Sequence, residues 1–117
     1  MQTFRLTERE LQPGCHVIEV EGELDLAVAG QLQEALDRAA AEHERILIGL
    51  GACEFIDSTG IATILRTYNQ MSEEGHRLAL YGASKQVDRI LSITGLTSNG
   101  LVFETADQAL SAFAEVS

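Results

Sequence analysis

Proline occurs once in the 117 residues, cysteine twice and tryptophan not at all, and aromatic residues make up only 5% of the chain. A single proline excludes proline-rich and collagen-like chains. Cys15 and Cys53 are too few for a disulfide scaffold, and the expectation is two reduced thiols. Basic residues are scarce: eight Lys and Arg stand against eighteen Asp and Glu, for a net charge of -10. Such a field repels phosphate backbones and anionic membranes, so nucleic acid is not an expected partner, whereas a protein with a basic patch would be steered in. Long apolar runs are also missing. The nearest is Ile46 to Leu50, interrupted by Gly49, far short of the roughly 18 residues that cross a bilayer. The opening MQTFRLTERE lacks the apolar segment of a secretory signal, which leads us to expect a cytoplasmic protein with no membrane insertion.

What is present is the makeup of an ordinary globular domain, with 45% hydrophobic and 22% charged residues. The length suits one domain over residues 1–117. Strand-length apolar runs alternate with stretches of helical period. Thr3 to Leu6 and His16 to Glu21 read as strands, and Pro13-Gly14 between them supplies turn chemistry for an antiparallel hairpin. In the second strand Ile18 and Val20 point one way, while Val17, Glu19 and Glu21 point to a face expected to be wet. Val28, Leu32, Ala35, Leu36 and Ala39 form the stripe of a first helix, with Glu34, Asp37, Arg38 and Glu42 outside. Ile46 to Leu50 reads as a central strand. Ile61, Ile64, Leu65, Tyr68 and Met71 mark a second helix ending near Gly75, Leu78 to Tyr81 a strand, and Val87, Ile90 and Leu91 a third helix stopped by Gly95. A short strand, Leu101 to Phe103, precedes Thr105-Ala106-Asp107-Gln108, a capping box for a last helix carrying Ala109, Leu110 and Phe113. The order predicts an α/β fold: a mixed β-sheet with an N-terminal antiparallel hairpin and four α-helices packed on it.

Chemistry concentrates where the strand ending in Glu54-Phe55-Ile56 meets Asp57-Ser58-Thr59-Gly60-Ile61, since loops at the carboxyl ends of parallel strands hold the sites of open α/β sheets. One reading is plain helix capping by Asp57 or Ser58. The sharper one makes Ser58 a phosphoacceptor. A phosphate there adds about -1.5 to -2 charge beside a helix N-terminus that tolerates it, while Asp25 and Asp57 supply like charge against a docked partner. The acidic run Glu19, Glu21, Glu23, Asp25 reads as a solvated strand face and loop that also steers a basic partner. Cys15, His16, His43, Cys53 and His76 show no metal-ligand spacing, no glycine-rich loop carries a P-loop lysine, and neither metal nor cofactor is expected.

Three segments in register with these elements carry a resemblance: Gly22-Glu23-Leu24-Asp25-Leu26-Ala27, then Phe55-Ile56-Asp57-Ser58-Thr59-Gly60, then Val87-Asp88-Arg89-Ile90-Leu91-Ser92-Ile93-Thr94-Gly95-Leu96. Together they resemble the anti-sigma factor antagonists of the STAS domain family. The resemblance implies no catalytic activity of the chain's own. It implies that a kinase-type anti-sigma factor uses ATP to phosphorylate Ser58, that a serine phosphatase reverses this, and that the unphosphorylated form binds the anti-sigma factor and frees a sigma factor. It places Glu23, Asp25, Asp57, Thr59, Gly60 and Ile61 on the partner-binding surface, Gly60 giving room for close backbone approach. The sequence departs from the family pattern at Gly49, where an Asp is common.

Three other readings compete. STAS-like subunits also serve as docking subunits of transporters or lipid-trafficking complexes. A receiver domain phosphorylated on Asp57 shares the alternation, but the carboxylate pair that holds its Mg²⁺ does not follow Thr3 to Leu6. An aspartic protease half is opposed by the extra residue in Asp-Ser-Thr-Gly and by helical periodicity on both sides.

Overall fold

A computed structural model describes residues 4–12, 14–96 and 101–115. The elements are β1 (Arg5–Gln12), β2 (Cys15–Leu24), α1 (Ala29–Glu42), β3 (Arg45–Ile56), α2 (Ser58–Glu73), β4 (Arg77–Tyr81), α3 (Lys85–Ile93), β5 (Val102–Phe103) and α4 (Ala106–Glu115). The five strands form one sheet in the order β1-β2-β3-β4-β5. β1 runs antiparallel to β2 and all later pairs are parallel. This is the mixed sheet with an opening hairpin and four helices expected from the alternation of periods.

Sequence stripes decide which face each helix covers. Leu32, Ala35, Leu36 and Ala39 of α1, Ile61, Ile64 and Met71 of α2, and Val87 and Leu91 of α3 join Ile18, Val20, Leu24, Ile46, Ile48, Leu50 and Ile56 in one core on one side of the sheet. Ala109 and Phe113 of α4 close a smaller core on the other side with Cys15, Val17, Leu47 and Ala79. Val17, expected on a wet face, is therefore fully buried, because α4 covers the lower part of that face. Glu19 and Glu21, further along the strand, are only partly covered or exposed, as expected. The α2 stripe also buries Thr63 and Thr67; the Thr63 hydroxyl donates to the Thr59 carbonyl at 3.0 Å, which satisfies it within the helix. The box before α4 forms with one displacement: the Thr105 hydroxyl accepts from the Gln108 amide at 3.1 Å, while the Gln108 side chain accepts from the Glu104 amide at 3.1 Å.

Three strands are longer than their apolar runs suggested. β1 reaches Gln12 although Thr7 to Glu10 are exposed and mostly charged. It is an edge strand held by ladder bonds and by cross-strand pairs, among them Arg5 with Glu21 at 3.8 Å and Arg9 with Glu19 at 3.2 Å. The turn glycine, Gly14, has φ +85°, while Pro13 lies outside the described residues. β2 continues to Leu24, and β3 continues six residues past Leu50 to Ile56. The last β3–β4 pair is Gly49 with Tyr81, so from there to Ile56 β3 pairs only with β2. This ribbon carries β3 about 20 Å further than its pairing with β4, and the segment of interest sits at its tip.

Candidate functional site

Asp57 organises the tip. It is the N-cap of α2, with extended backbone at φ -99°, ψ -178°. Its Oδ1 accepts from the amides of Thr59 at 2.9 Å and Gly60 at 3.1 Å, and its carbonyl accepts from Ile61 at 3.1 Å. Three of the first helix amides are thereby satisfied by one residue. The other carboxylate oxygen, Oδ2, accepts from the amide of Leu26 at 3.1 Å, across 31 residues of chain. The Asp57 amide in turn donates to the Leu24 carbonyl at 3.1 Å. The loop after β2 is thus tied to the start of α2 by Asp57, through its side-chain carboxylate at Leu26 and its backbone amide at Leu24.

That loop is itself a compact turn. Asp25 Oδ1 accepts from the Ala27 amide at 3.0 Å, and the Asp25 carbonyl accepts from Val28 at 3.1 Å and Ala29 at 2.9 Å. The tight fold leaves Leu26 outside, 74% exposed. Ser58, the first residue of α2, is exposed; Asp57, Thr59, Glu23 and Asp25 are partly exposed. The tip therefore presents a free hydroxyl beside a carboxylate-bearing loop.

Gly60 and Ile61 lie beneath that surface. A Cβ on Gly60 would stand 2.7 Å from Leu24 Cγ and 3.0 Å from the Leu24 carbonyl oxygen. The close approach that its missing side chain permits is to the chain's own β2, and it seats α2 on the sheet. Ile61 is 6% exposed and belongs to the main core.

Gly49 faces the other side of the sheet. A Cβ there would run into the Glu19 carboxylate and lie 2.9 Å from the Tyr81 hydroxyl. The space that a side chain at position 49 would take is filled by Glu19, which reaches across from β2, accepts from Tyr81 Oη and pairs with Arg9 at 3.2 Å. Burial, then the Glu19 carboxylate, push the Tyr81 phenol up to about 12. Gly49 leaves room on this face of the sheet for the Glu19 carboxylate, away from the Asp57–Ser58 tip.

Sequence reading did not foresee the exposed Leu26 and Phe55 beside the tip, nor a packed pair at the opposite end, where the rings of His16 and His43 stack with centroids 4.7 Å apart. His16 Nε2 lies 2.8 Å from Glu8 Oε1, and His43 Nδ1 lies 3.1 Å from the Ala39 carbonyl. Among the described residues no group of three or more His, Cys, Asp and Glu side chains is placed to hold a metal ion, and no helix is long and apolar enough to cross a membrane. Cys15 and Cys53 are both free and buried, and burial pushes both thiols up.

The site is thus an exposed serine that opens a helix at the end of a parallel strand, on a mixed sheet begun by a hairpin. Residues 7–109 match the STAS domain model, and the chain belongs to the STAS domain family. It is 30% identical over 114 residues to the anti-sigma F factor antagonist of Paenibacillus polymyxa, an overlap of 94% of this chain and 96% of that protein. Its fold matches the crystal structure of an anti-sigma factor antagonist from Mycobacterium paratuberculosis with a TM-score of 0.84 at 26% identity, covering 94% of this chain and 93% of the other. The fold is also that of the anti-sigma factor antagonist SpoIIAA in its unphosphorylated form, with a TM-score of 0.78 at 20% identity over 98% of this chain and 99% of that one.

Proposed function

We infer that the chain is an anti-sigma factor antagonist whose contact with a kinase-type anti-sigma factor is gated by phosphorylation of Ser58. The observation that carries this reading is the exposure of Ser58 on a tip whose backbone is fixed by Asp57. In the unmodified state the partner docks on Ser58 and Thr59 together with Glu23 and the Asp25–Leu26 loop, and a sigma factor is released. Asp57, Gly60 and Ile61 serve the same surface from below, by holding the helix and the loop in register.

The gate is electrostatic. The kinase transfers the terminal phosphoryl group of ATP to Ser58 Oγ, ADP leaves, and the hydroxyl proton is lost. The amides of Thr59 and Gly60 that would otherwise receive the phosphate are already occupied by Asp57 Oδ1. The added charge of about -1.5 to -2 therefore stays outside the helix, beside Asp57 and Asp25, where a docked partner would have to desolvate it. The cost is on the order of 2–5 kcal/mol, enough to lower affinity by a factor of roughly 30 or more. A serine phosphatase restores binding. The chain contributes a surface and an acceptor to this cycle and no catalysis of its own.

The test is incubation of the purified chain with kinase-type anti-sigma factors and ATP, followed by mapping of the modified residue by mass spectrometry. Modification at Ser58, lost in Ser58→Ala, supports the reading. Stable co-purification with a membrane complex and no modification by any such kinase would favour a fixed docking subunit instead.

A further inference from the structure

Phe55 is 38% exposed near the end of β3, and the backbone puts it there. Gly22 stands opposite Cys53 and Glu23 opposite Phe55, so Glu54 is an extra residue with no counterpart on β2. In a regular strand Phe55 would share the inward face of Cys53, and Ile56 would point out. The bulge reverses both. Ile56, opposite Leu24, is 1% exposed and joins the core, while Phe55 turns outward beside Glu23. Bulges beside functional sites re-aim side chains in this way. The fold itself gains nothing from holding a phenyl ring in water.

The surroundings of the ring specify what would cover it. Glu23 is partly exposed and Glu54 exposed, and among the described residues neither takes part in an ion pair, whereas Glu21 pairs with Arg5 at 3.8 Å. Asp25 and the exposed Leu26 continue the same end of the ribbon. The chain as a whole carries a net charge of -10. An aromatic face framed by unpaired carboxylates is complementary to a guanidinium or ammonium group, which the ring quadrupole and the carboxylates attract together.

We propose that the outward face of the β2–β3 ribbon, centred on Phe55 and Glu54 and adjoining Glu23 of the first contact, is a second contact for the anti-sigma factor and seats an Arg or Lys side chain of a basic surface on the phenyl ring. This rests on the reading of the chain as an anti-sigma factor antagonist and extends its docking surface from the start of α2 around the edge of the ribbon.

The experiment measures, by calorimetry at low and at high salt, binding of the unphosphorylated chain to the same kinase-type anti-sigma factor that serves in the Ser58 assay. Phe55→Ala weakens binding tenfold or more, Phe55→Leu weakens it almost as much because it keeps apolar bulk but lacks the ring face, and Glu54→Gln reduces both the affinity and its salt dependence. Unchanged thermal melts of the three variants show that the fold is intact. Binding within twofold of the parent for Phe55→Ala, or parent-like binding by Phe55→Leu with no effect of salt, overturns the proposal. Ser58 is read separately: a parent chain that is bound but never modified removes the gate and leaves the Phe55 contact to stand or fall on its own affinities.

Discussion

The Asp57 carboxylate accepts from the Leu26 amide at 3.1 Å while its other oxygen caps α2, so one side chain fixes both halves of the tip. Asp57→Ala removes the cap and the tie together. Loss of an N-cap alone costs about 1 kcal/mol, and the freed Leu26 amide adds to it, so a destabilisation of about 1–3 kcal/mol by denaturant titration is expected. Affinity for the anti-sigma partner should fall more than Thr59→Ala makes it fall, because the whole Asp25–Leu26 loop loses its anchor.

A second prediction concerns position 49. Gly49→Asp introduces a carboxylate where Glu19 already stands, forcing two like charges together on a buried stretch of β3. Overpacking and repulsion should cost about 1–3 kcal/mol or more. The double variant Gly49→Asp with Glu19→Gly vacates the space that the new carboxylate needs and should recover a large part of that loss. A non-additive cycle in thermal or denaturant melts is the expected outcome, and strict additivity would contradict a space shared by positions 19 and 49.

Alkaline pH probes the same cluster. The folded state holds the Tyr81 phenol at about 12, against 10.0 for a free tyrosine, because burial and Glu19 disfavour the phenolate. The folded protein therefore binds this proton more tightly than the unfolded chain does. The stabilisation is fully present below pH 10 and is lost as pH rises toward 12. Tyr81→Phe lacks the titrating group. Its stability deficit relative to the parent should be largest near pH 8 and shrink steadily between pH 10 and 12 in parallel urea titrations, while groups common to both chains cancel.

The helices and their inward faces were legible in the sequence because each is an amphipathic stripe, and a stripe is a local property. So was the tip, where Asp57-Ser58-Thr59-Gly60 has a cap, a hydroxyl and a glycine within four residues. The upper half of β3 was not, because Gly51-Ala52-Cys53-Glu54 has neither an apolar run nor strict alternation; its strand state is imposed by pairing with β2 through two register shifts. The outward turn of Phe55 depends on the second of these and has no local mark. Contacts between distant segments were equally hidden: Asp57 with Leu26, Glu19 in the space above Gly49, and the His16–His43 stack. The burial of Val17 required knowing that α4 crosses to the second face, which the order of elements alone does not determine.

The most direct measurement is the affinity of the anti-sigma partner for the chain before and after stoichiometric phosphorylation, with Ser58→Ala and Ser58→Asp alongside. Ser58→Ala should bind as the unmodified parent does, Ser58→Asp more weakly, and the phosphorylated chain more weakly by a factor of roughly 30 or greater. Equal affinity of the phosphorylated and unmodified chains would contradict a gate at Ser58.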